Sequence, residues 1–458
     1  MVRRFDTLVV GGGMAGLPLA LRAARHGTTA FVERELLGGT CLNRGCIPTK
    51  TMIASARLAH QAGRAGGFGV HTGAPRVELG EVVDRKDAVV EAIRSGSYTA
   101  VGRSSALELF EGHGRFTGTH RLEVGDTTLE AGRIFLNTGT RDTLPPVDGL
   151  DQVDHLTSRS ILELRRLPAH LVVVGGGFVG CEFAQMFARF GARVTLVQRA
   201  SRLLPGEDPD VSTAVADAFA AEGIEVLTGT TCVAVEAHDK GVRVGCQGEE
   251  EVEVVGSHLL VAAGRTPNTD NLGLELLGVG LDDRGYVPVD GRLHTGVDDV
   301  WALGDLRGAD MFTHTARDDA EVAYRSVFGG QDRTIDGRVV PHAVFVDPEV
   351  AAVGATEAQA RDAGHDVAVG TQPFAGVAKA RAIGETAGFV RFVTDATTDR
   401  ILGCHIVGSD AANLIHEAVL AMTADIPHRQ VGDAIHIHPT LAEAVNAAAG
   451  GVHRPATG

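Results

Sequence analysis

The sequence predicts an α/β protein built from two parallel β-α-β units, with an α+β unit at its C-terminal end. Three observations predict it: a Gly-x-Gly-x-x-Gly turn between an apolar run and a helical stretch, a second copy of that arrangement farther along, and alternating apolar runs beyond Pro341. In the first copy Thr7-Leu-Val-Val10 enters Gly11-x-Gly13-x-x-Gly16, an Ala/Leu-rich helix continues to about Arg25, and a second strand from Thr29 ends at Glu33. In the second, Leu171-Val-Val-Val174 enters Gly175-x-Gly177-x-x-Gly180, a helix runs through Phe190, and a strand covers Arg193 to Val197. Within each copy the first glycine makes a tight turn, the second lets backbone approach a pyrophosphate, and the third lets helix pack on strand. Glu33 is placed to accept hydrogen bonds from a ribose. One copy alone has a structural glycine turn as its alternative; two copies with their strands point to two dinucleotide sites.

Pro145, Pro146 and Gly149 punctuate the approach to the second unit, and Ala263-Gly264-Arg265-Thr266-Pro267-Asn268 punctuates its exit. Around Trp301-Ala-Leu-Gly304-Asp305 the pattern is again strand then turn. Beyond Pro341, Gly388-Phe-Val-Arg-Phe-Val393 and Ile401-Leu-Gly-Cys-His-Ile-Val407 read as strands, and a helix is predicted near Asn413 to Thr423.

A chain of 458 residues exceeds one usual core, so two to four domains and a large buried cofactor are expected. The formal charge of -16, without a long basic block, argues against a nucleic-acid partner. No apolar stretch approaches the roughly 18 to 20 residues of a spanning helix, so no membrane partner is expected. Met1-Val-Arg-Arg reads as the start of a strand and not an export signal, because Gly11, Gly12 and Gly13 interrupt the apolar run. Six cysteines, irregularly spaced but for one pair, suit a reducing cytoplasm better than a disulfide scaffold.

That pair lies in Gly38-Gly-Thr-Cys41-Leu-Asn-Arg-Gly-Cys46-Ile-Pro-Thr-Lys50. Residues five apart on an ideal helix have Cα atoms about 8.6 Å apart, whereas a disulfide needs less than about 7 Å. A bridge between Cys41 and Cys46 therefore requires distorted backbone, which Gly45 and Pro48 ease. Strained bridges are readily reduced and tend to be catalytic. A structural disulfide or half of a zinc site is the alternative; no metal site is expected. Cys181, Cys232, Cys246 and Cys404 sit singly in apolar or strand-like surroundings and read as packing residues.

At the second glycine motif the strand ends Val197-Gln198-Arg199, with Arg202 close behind and no counterpart of Glu33. An acidic residue there would bind the free 2′-hydroxyl of NADH, whereas an arginine can pair with a 2′-phosphate, so NADPH is expected ahead of NADH. Solvated surface arginines are the alternative. Near the C-terminus, His436-Ile-His438-Pro439-Thr440-x-x-Glu443 offers an imidazole and a carboxylate that can hold its ring in one tautomer. A lone histidine is usually unremarkable, but a redox pair needs a proton donor for its departing thiolate. His438 is the candidate, with His436 a neighbour pointing elsewhere.

These pieces in this order resemble the class I flavoprotein disulfide reductases, the family of glutathione reductase, dihydrolipoamide dehydrogenase and mercuric reductase. The resemblance rests on both glycine motifs, Gly39-Thr-Cys41-x4-Cys46-Ile-Pro-Thr-Lys50, Gly180-Cys-Glu182, Ala263-Gly-Arg-Thr-Pro-Asn268, Gly304-Asp305 and His438-Pro-Thr-x-x-Glu443. It implies two Rossmann-like domains and a dimerisation domain: an FAD-binding domain from 1-145 and 265-340, an NAD(P)H-binding domain at 146-264, and an α+β dimerisation domain at 341-458. FAD would be held by Gly11, Gly13, Gly16, Glu33, Thr40, Lys50, Gly139 and Asp305. The nucleotide would meet Gly175, Gly177, Gly180, Gln198, Arg199, Arg202 and Gly264. Cys46 would be the flavin-facing thiol and Cys41 the interchange thiol, with Lys50 and Glu182 an ion pair near the flavin. His438 with Glu443 would be an acid/base dyad that reaches the partner of a homodimer.

The implied activity is electron transfer from NADPH through FAD and the cysteine pair to a small disulfide, a thiol-bound electrophile or a metal ion, in a role such as cell redox homeostasis. Retention of His438, and the absence of a leading metal-binding domain and of a vicinal cysteine pair in Gly450 to Gly458, count against a typical mercuric reductase. Gln198 counts against an NAD-linked dihydrolipoamide dehydrogenase. Phe345-Val-Asp-Pro-Glu-Val-Ala-Ala-Val-Gly354, Ala378-Lys-Ala-Arg381 and Phe312-Thr-His-Thr-Ala316 look more like the mercuric-reductase-like branch with its reactive-chlorine-resistance members. A flavin-containing redox sensor without turnover is the non-enzyme alternative.

Overall fold

The structure, a computed structural model, describes residues 1–454, so positions 455–458 of the cysteine-free C-terminal stretch lie outside the described residues. Strand β1 (Val2–Val10), helix α1 (Gly16–Ala23) and strand β2 (Thr29–Glu33) form the first β-α-β unit. Helices α2 (Gly39–Arg44), α3 (Cys46–Arg64) and α4 (Leu79–Gly102) follow, then β3 (Leu107–Glu111), β4 (Gly114–Gly118), β5 (Arg121–Val124) and β6 (Thr127–Leu136). They make one sheet in the order β3-β2-β1-β6-β5-β4, and the distant segment Val300–Ala302 adds parallel to β6. β1, buried from Thr7 to Val10, pairs in parallel with β2 and β6, as expected of an apolar run covered on both faces.

The chain leaves through β7 (Thr140–Asp142) and begins a second unit: β8 (His170–Val174), α5 (Phe178–Phe190), β9 (Arg193–Val197), α6 (Pro209–Ala221) and β10 (Glu225–Leu227). An antiparallel meander, β11 (Thr231–His238), β12 (Gly241–Gln247) and β13 (Glu251–Gly256), precedes β14 (His258–Val261), which completes a parallel sheet β10-β9-β8-β14. β15 (Arg265–Pro267) pairs with β7, so the exit from the second unit lies against its approach. A short α7 (Leu274–Leu277), the returning strand β16 (Val300–Ala302) and α8 (Thr313–Val327) come next.

The C-terminal part is an antiparallel sheet of β17 (Pro341–Val344), β18 (Val350–Gly354), β19 (Val367–Pro373), β20 (Phe389–Asp395) and β21 (Ile401–Val407), in the order β17-β18-β21-β20-β19. Short helices α9 (Glu357–Asp362) and α10 (Ala378–Ala382) interrupt it, and α11 (Ala411–Thr423), α12 (His428–Asp433) and α13 (Glu443–Gly450) close the described chain. Ile415 and Ala418 of α11, and Val445 and Ala448 of α13, share one apolar cluster with Phe392 and Ile406 of the sheet. A second cluster joins Met52 and Ala56 of α3, Phe183 and Phe187 of α5, and Val344 and Val350 of the C-terminal sheet. The three parts are thus wedged together around α3, the helix that starts at Cys46. Among the described residues no helix is long and apolar enough to cross a membrane.

Candidate active site

The two glycine turns are built alike. Gly11 and Gly175 both have positive φ, at 104° and 115°, and a Cβ on either would lie 2.2 Å from the Asn137 carbonyl oxygen or 2.3 Å from that of Ala262. A Cβ on Gly16 would meet Gly11 O at 2.0 Å, and one on Gly180 would meet Gly175 O at 1.8 Å, so each helix sits on its turn at a distance only glycine allows. Behind the first turn Glu33 accepts the Gly12 N–H at 2.6 Å and the Glu35 N–H at 2.7 Å. Behind the second, Gln198 Oε1 accepts the Gly176 N–H at 3.2 Å, an amide doing for that turn what a carboxylate does for the first.

A cleft of ≈ 1440 Å³ runs from the first turn to the C-terminal sheet, lined by Gly11, Gly13, Glu33, Thr40, Gly139 and Asp305, and further on by Cys41, Cys46, Lys50 and Glu182. Asp305 faces it next to β16; burial raises its pKa, and its Oδ2 accepts from Thr140 Oγ1 at 3.2 Å. These residues fit a dinucleotide of FAD's size and chemistry: a glycine turn at a helix start, a carboxylate at the strand end, and a half-buried carboxyl acceptor midway. Gly16 packs behind the turn instead of lining the cleft. The cleft reaches the second unit through Ser158, Arg159, Phe178, Val179, Glu182 and Phe183, while Gly175, Gly177, Gly180, Gln198, Arg199, Arg202 and Gly264 lie outside its wall. Arg199 is exposed at the end of β9. The Arg202 guanidinium donates to Pro205 O at 3.0 Å and Glu207 O at 3.3 Å, so this arginine is held by its own loop.

Cys41 and Cys46 are free thiols on two different helices. α2 stops at Arg44, Gly45 takes φ −137° and ψ −116°, and α3 starts afresh at Cys46. A Cβ on Gly45 would lie 2.9 Å from Thr40 O. This break is the backbone distortion that brings the two cysteines within hydrogen-bonding contact. That contact, then Thr313 Oγ1 at 3.5 Å and the Lys50 charge, lowers the Cys46 thiol to about 6 against the opposing effect of burial. The same contact, followed by burial, raises the Cys41 thiol well above its ordinary value, opposed in part by Thr313 and by the positive charge of Arg317. Lys50 Nζ donates to both Glu182 oxygens at 2.9 and 2.7 Å, pinning α3 to α5, and the Phe345 N–H donates to the same carboxylate at 3.0 Å.

His438 is not part of the cleft wall. Its Nδ1 is 2.9 Å from Glu443 Oε1, and Glu443 also accepts the Thr440 N–H at 3.0 Å. The hydrogen bond from His438 is the main reason the Glu443 carboxyl lies below its ordinary value. The imidazole stands 70% exposed, beside Ile435 at 102% and Ile437 at 79%. His436 turns to Glu417 at 3.0 Å.

Sequence reasoning missed Thr313, the first residue of α8 and 267 positions from Cys46. It also missed His342, whose Nε2 lies 2.6 Å from Glu207 Oε1 and whose ring stacks on Phe178 at 5.4 Å. Neither contact has a local signal, because each joins separate parts of the chain. Cys232 and Cys246, read as single packing cysteines, are instead directly opposed across β11 and β12. Among the described residues no cluster of three or more His, Cys, Asp or Glu side chains could hold a metal ion.

A family described as pyridine nucleotide-disulphide oxidoreductase matches residues 5–320, and its dimerisation domain matches residues 340–449. The chain is similar to dihydrolipoyl dehydrogenase of Haloferax volcanii, 38% identical over 457 residues covering 97% of this chain and 95% of that protein. It is also similar to mercuric reductase of Streptomyces lividans, 36% identical over 453 residues, 97% of this chain and 95% of that one. Among solved structures, the HOCl-induced flavoprotein disulfide reductase RclA from Escherichia coli superposes with a TM-score of 0.89 at 32% identity, covering 97% of this chain and 99% of the other.

Proposed function

The chain belongs to the pyridine nucleotide-disulphide oxidoreductases, enzymes that use FAD and NAD(P)H, and on that premise we propose that it is an NADPH-dependent reductase of a low-molecular-weight disulfide or a thiol-bound electrophile or metal ion. The observation that carries this reading is the cysteine pair: two thiols in contact on the cleft wall, one strongly acidified, next to the Lys50–Glu182 pair. Held in this cleft, FAD would supply the redox chemistry that links hydride from the nucleotide to reduction of a Cys41–Cys46 disulfide.

The side chains do the rest. Gly11, Gly13, Glu33, Thr40, Lys50, Gly139 and Asp305 would hold the flavin, and Lys50 keeps the acidified Cys46 thiolate beside a positive charge. Cys41 gives its proton to the partner subunit's His438 as it attacks one sulfur of the substrate disulfide, forming a mixed disulfide and expelling one thiolate. The partner subunit's His438 gives that thiolate its proton and, held by the carboxylate five residues on, keeps the tautomer the transfer needs. Cys46 then attacks the Cys41 sulfur, closing the pair and releasing the second thiol. The match to a dimerisation domain and the bare surface around His438 support a homodimer in which each site borrows this imidazole. Exposed Arg199 favours NADPH over NADH, through pairing with a 2′-phosphate.

The test is anaerobic titration of the holoenzyme with NADPH. A long-wavelength thiolate–flavin absorption should develop, and Cys46→Ser should abolish it together with disulfide reduction; a variant that keeps full disulfide reductase activity would sink the mechanism. The similarity to dihydrolipoyl dehydrogenases supports a second reading, NAD-linked oxidation of dihydrolipoamide. Comparing kcat/KM for dihydrolipoamide with NAD against small disulfides and Hg²⁺ or Cu²⁺ with NADPH separates them, and a large lipoamide preference reverses the order.

A further inference from the structure

Outside the cleft, two of the four remaining cysteines face each other. Cys232 in β11 and Cys246 in β12 are directly paired in the antiparallel register. Both belong to one apolar cluster with Val172, Val197 and Leu259, at 9% and 3% exposure. Directly opposed residues on antiparallel strands have Cα atoms about 4.5 to 5.5 Å apart, with side chains on the same face. That spacing falls inside the roughly 4.4 to 6.8 Å window of a disulfide. The register slips at a bulge between Cys232 and Ala234, so the ladder is disrupted and more strongly twisted right beside the pair. Cys181 and Cys404 have no such partner: Cys181 donates to Gly176 O at 3.5 Å, and Cys404 pairs in register with Val353 and Phe392.

We propose that Cys232 and Cys246 are a second dithiol–disulfide pair, a modification site in the nucleotide-binding half of the molecule that is oxidised by neutral low-molecular-weight disulfides. One cysteine, as thiolate, attacks a sulfur of R–S–S–R to give a mixed disulfide and R–S⁻, which takes up the proton the cysteine lost. The second cysteine attacks the protein-bound sulfur, expels the other R–S⁻ and gives up its own proton. Two thiols are oxidised to one disulfide and one small disulfide is reduced to two thiols, so no other oxidant enters.

Burial holds Cys232 at about 12 and Cys246 above its ordinary value, so attack waits on opening of β11, the edge strand of the meander. The pair reacts more slowly than Cys41 and Cys46 for this reason. Its position gives the bridge a consequence. Directly before β11, the Thr230 N–H donates to Gln198 O at 3.0 Å and the Gly229 N–H donates to Ala200 O at 2.8 Å. A bridge at Cys232 therefore ties down the base of the loop that carries Gln198 and Arg199.

The wild-type holoenzyme is the material for the test, which does not depend on the proposed catalytic substrate. It is incubated for hours with excess 2-hydroxyethyl disulfide without nucleotide, acid-quenched, alkylated with iodoacetamide in denaturant and digested with trypsin. Cleavage after Lys240 and Arg243 puts the two cysteines on separate peptides. The expected result is a joined Cys232–Cys246 peptide pair that falls apart on reduction, with Cys181 and Cys404 alkylated. In Cys246→Ala the joined species should disappear and Cys232 should no longer be found bridged to another cysteine. Recovery of both wild-type cysteines fully alkylated, or each capped separately by mercaptoethanol, overturns the proposal, as does a bridge from Cys232 to a different cysteine.

Discussion

At the scale of residues, the chemistry turns on what surrounds one sulfur. Cys46 meets Cys41, Thr313 and Lys50, and their combined effect brings it to about 6. A lowered pKa favours the charged form, so the thiolate is present above about pH 6 and lost as the pH falls through that value. The long-wavelength absorption of the two-electron-reduced enzyme should titrate accordingly, rising between about pH 5 and 7. Thr313→Val removes one hydrogen bond to the charged sulfur, about 1.4 kcal/mol, and should shift that titration upward by about one pH unit. An unmoved midpoint would mean Thr313 does not donate to the thiolate. His438→Ala belongs to a different half-reaction. It should slow thiol–disulfide interchange by about 10² to 10⁴ and leave reduction of the flavin by NADPH nearly intact, which stopped-flow mixing reads separately. The cysteines, the dyad and the Lys50–Glu182 pair were legible as motifs. Thr313 was legible only as part of a stretch that resembles one branch of the family and not as a neighbour of Cys46, because the contact joins positions 267 apart with the whole second unit between them.

At the scale of elements, the glycine turns show how closely backbone geometry was readable. A positive φ and a helix packed on its own turn are demands of a few consecutive residues, so the sequence carries them locally. Gly180→Val would put branched carbons where a Cβ already comes within 1.8 Å of Gly175 O. The purified variant should therefore retain its yellow bound flavin yet lose reduction by NADPH by at least about 10²-fold, with dithionite still reducing it. A colourless, aggregated product would mean that the second turn supports the whole fold. The break between α2 and α3 was legible only in part. Spacing said that the backbone must deform between Cys41 and Cys46, eased by Gly45 and Pro48, but that the break falls at Gly45, where a Cβ would crowd Thr40 O, and divides two helices was seen only in the structure. The β11–β12 register was not legible, since a single bulge changes which residues oppose one another.

At the scale of the whole molecule, the C-terminal unit displays Ile435 and Ile437 at 102% and 79% exposure next to the His438–Glu443 pair, and Leu420 of α11 at 66%. Ile435→Asp with Ile437→Asp should shift the protein from dimer to monomer in analytical ultracentrifugation. Disulfide reduction should collapse while the first electron transfer, NADPH to flavin, persists. A monomer with undiminished disulfide turnover would show that the site needs nothing from a second chain.

The amino-acid sequence by itself determined the two glycine turns, the spacing of the cysteine pair and the His438–Glu443 contact, because each is set by residue types at short, fixed separations. Tertiary structure decided which of these meet. It put Thr313 beside Cys46 and Glu182 beside Lys50, spent Arg202 on its own loop, opposed Cys232 to Cys246, and left His438 facing outward, away from the cleft of its own chain. Such meetings follow from how separate sheets and helices bury their apolar faces against one another, a property of the packed whole that no short stretch of chain contains.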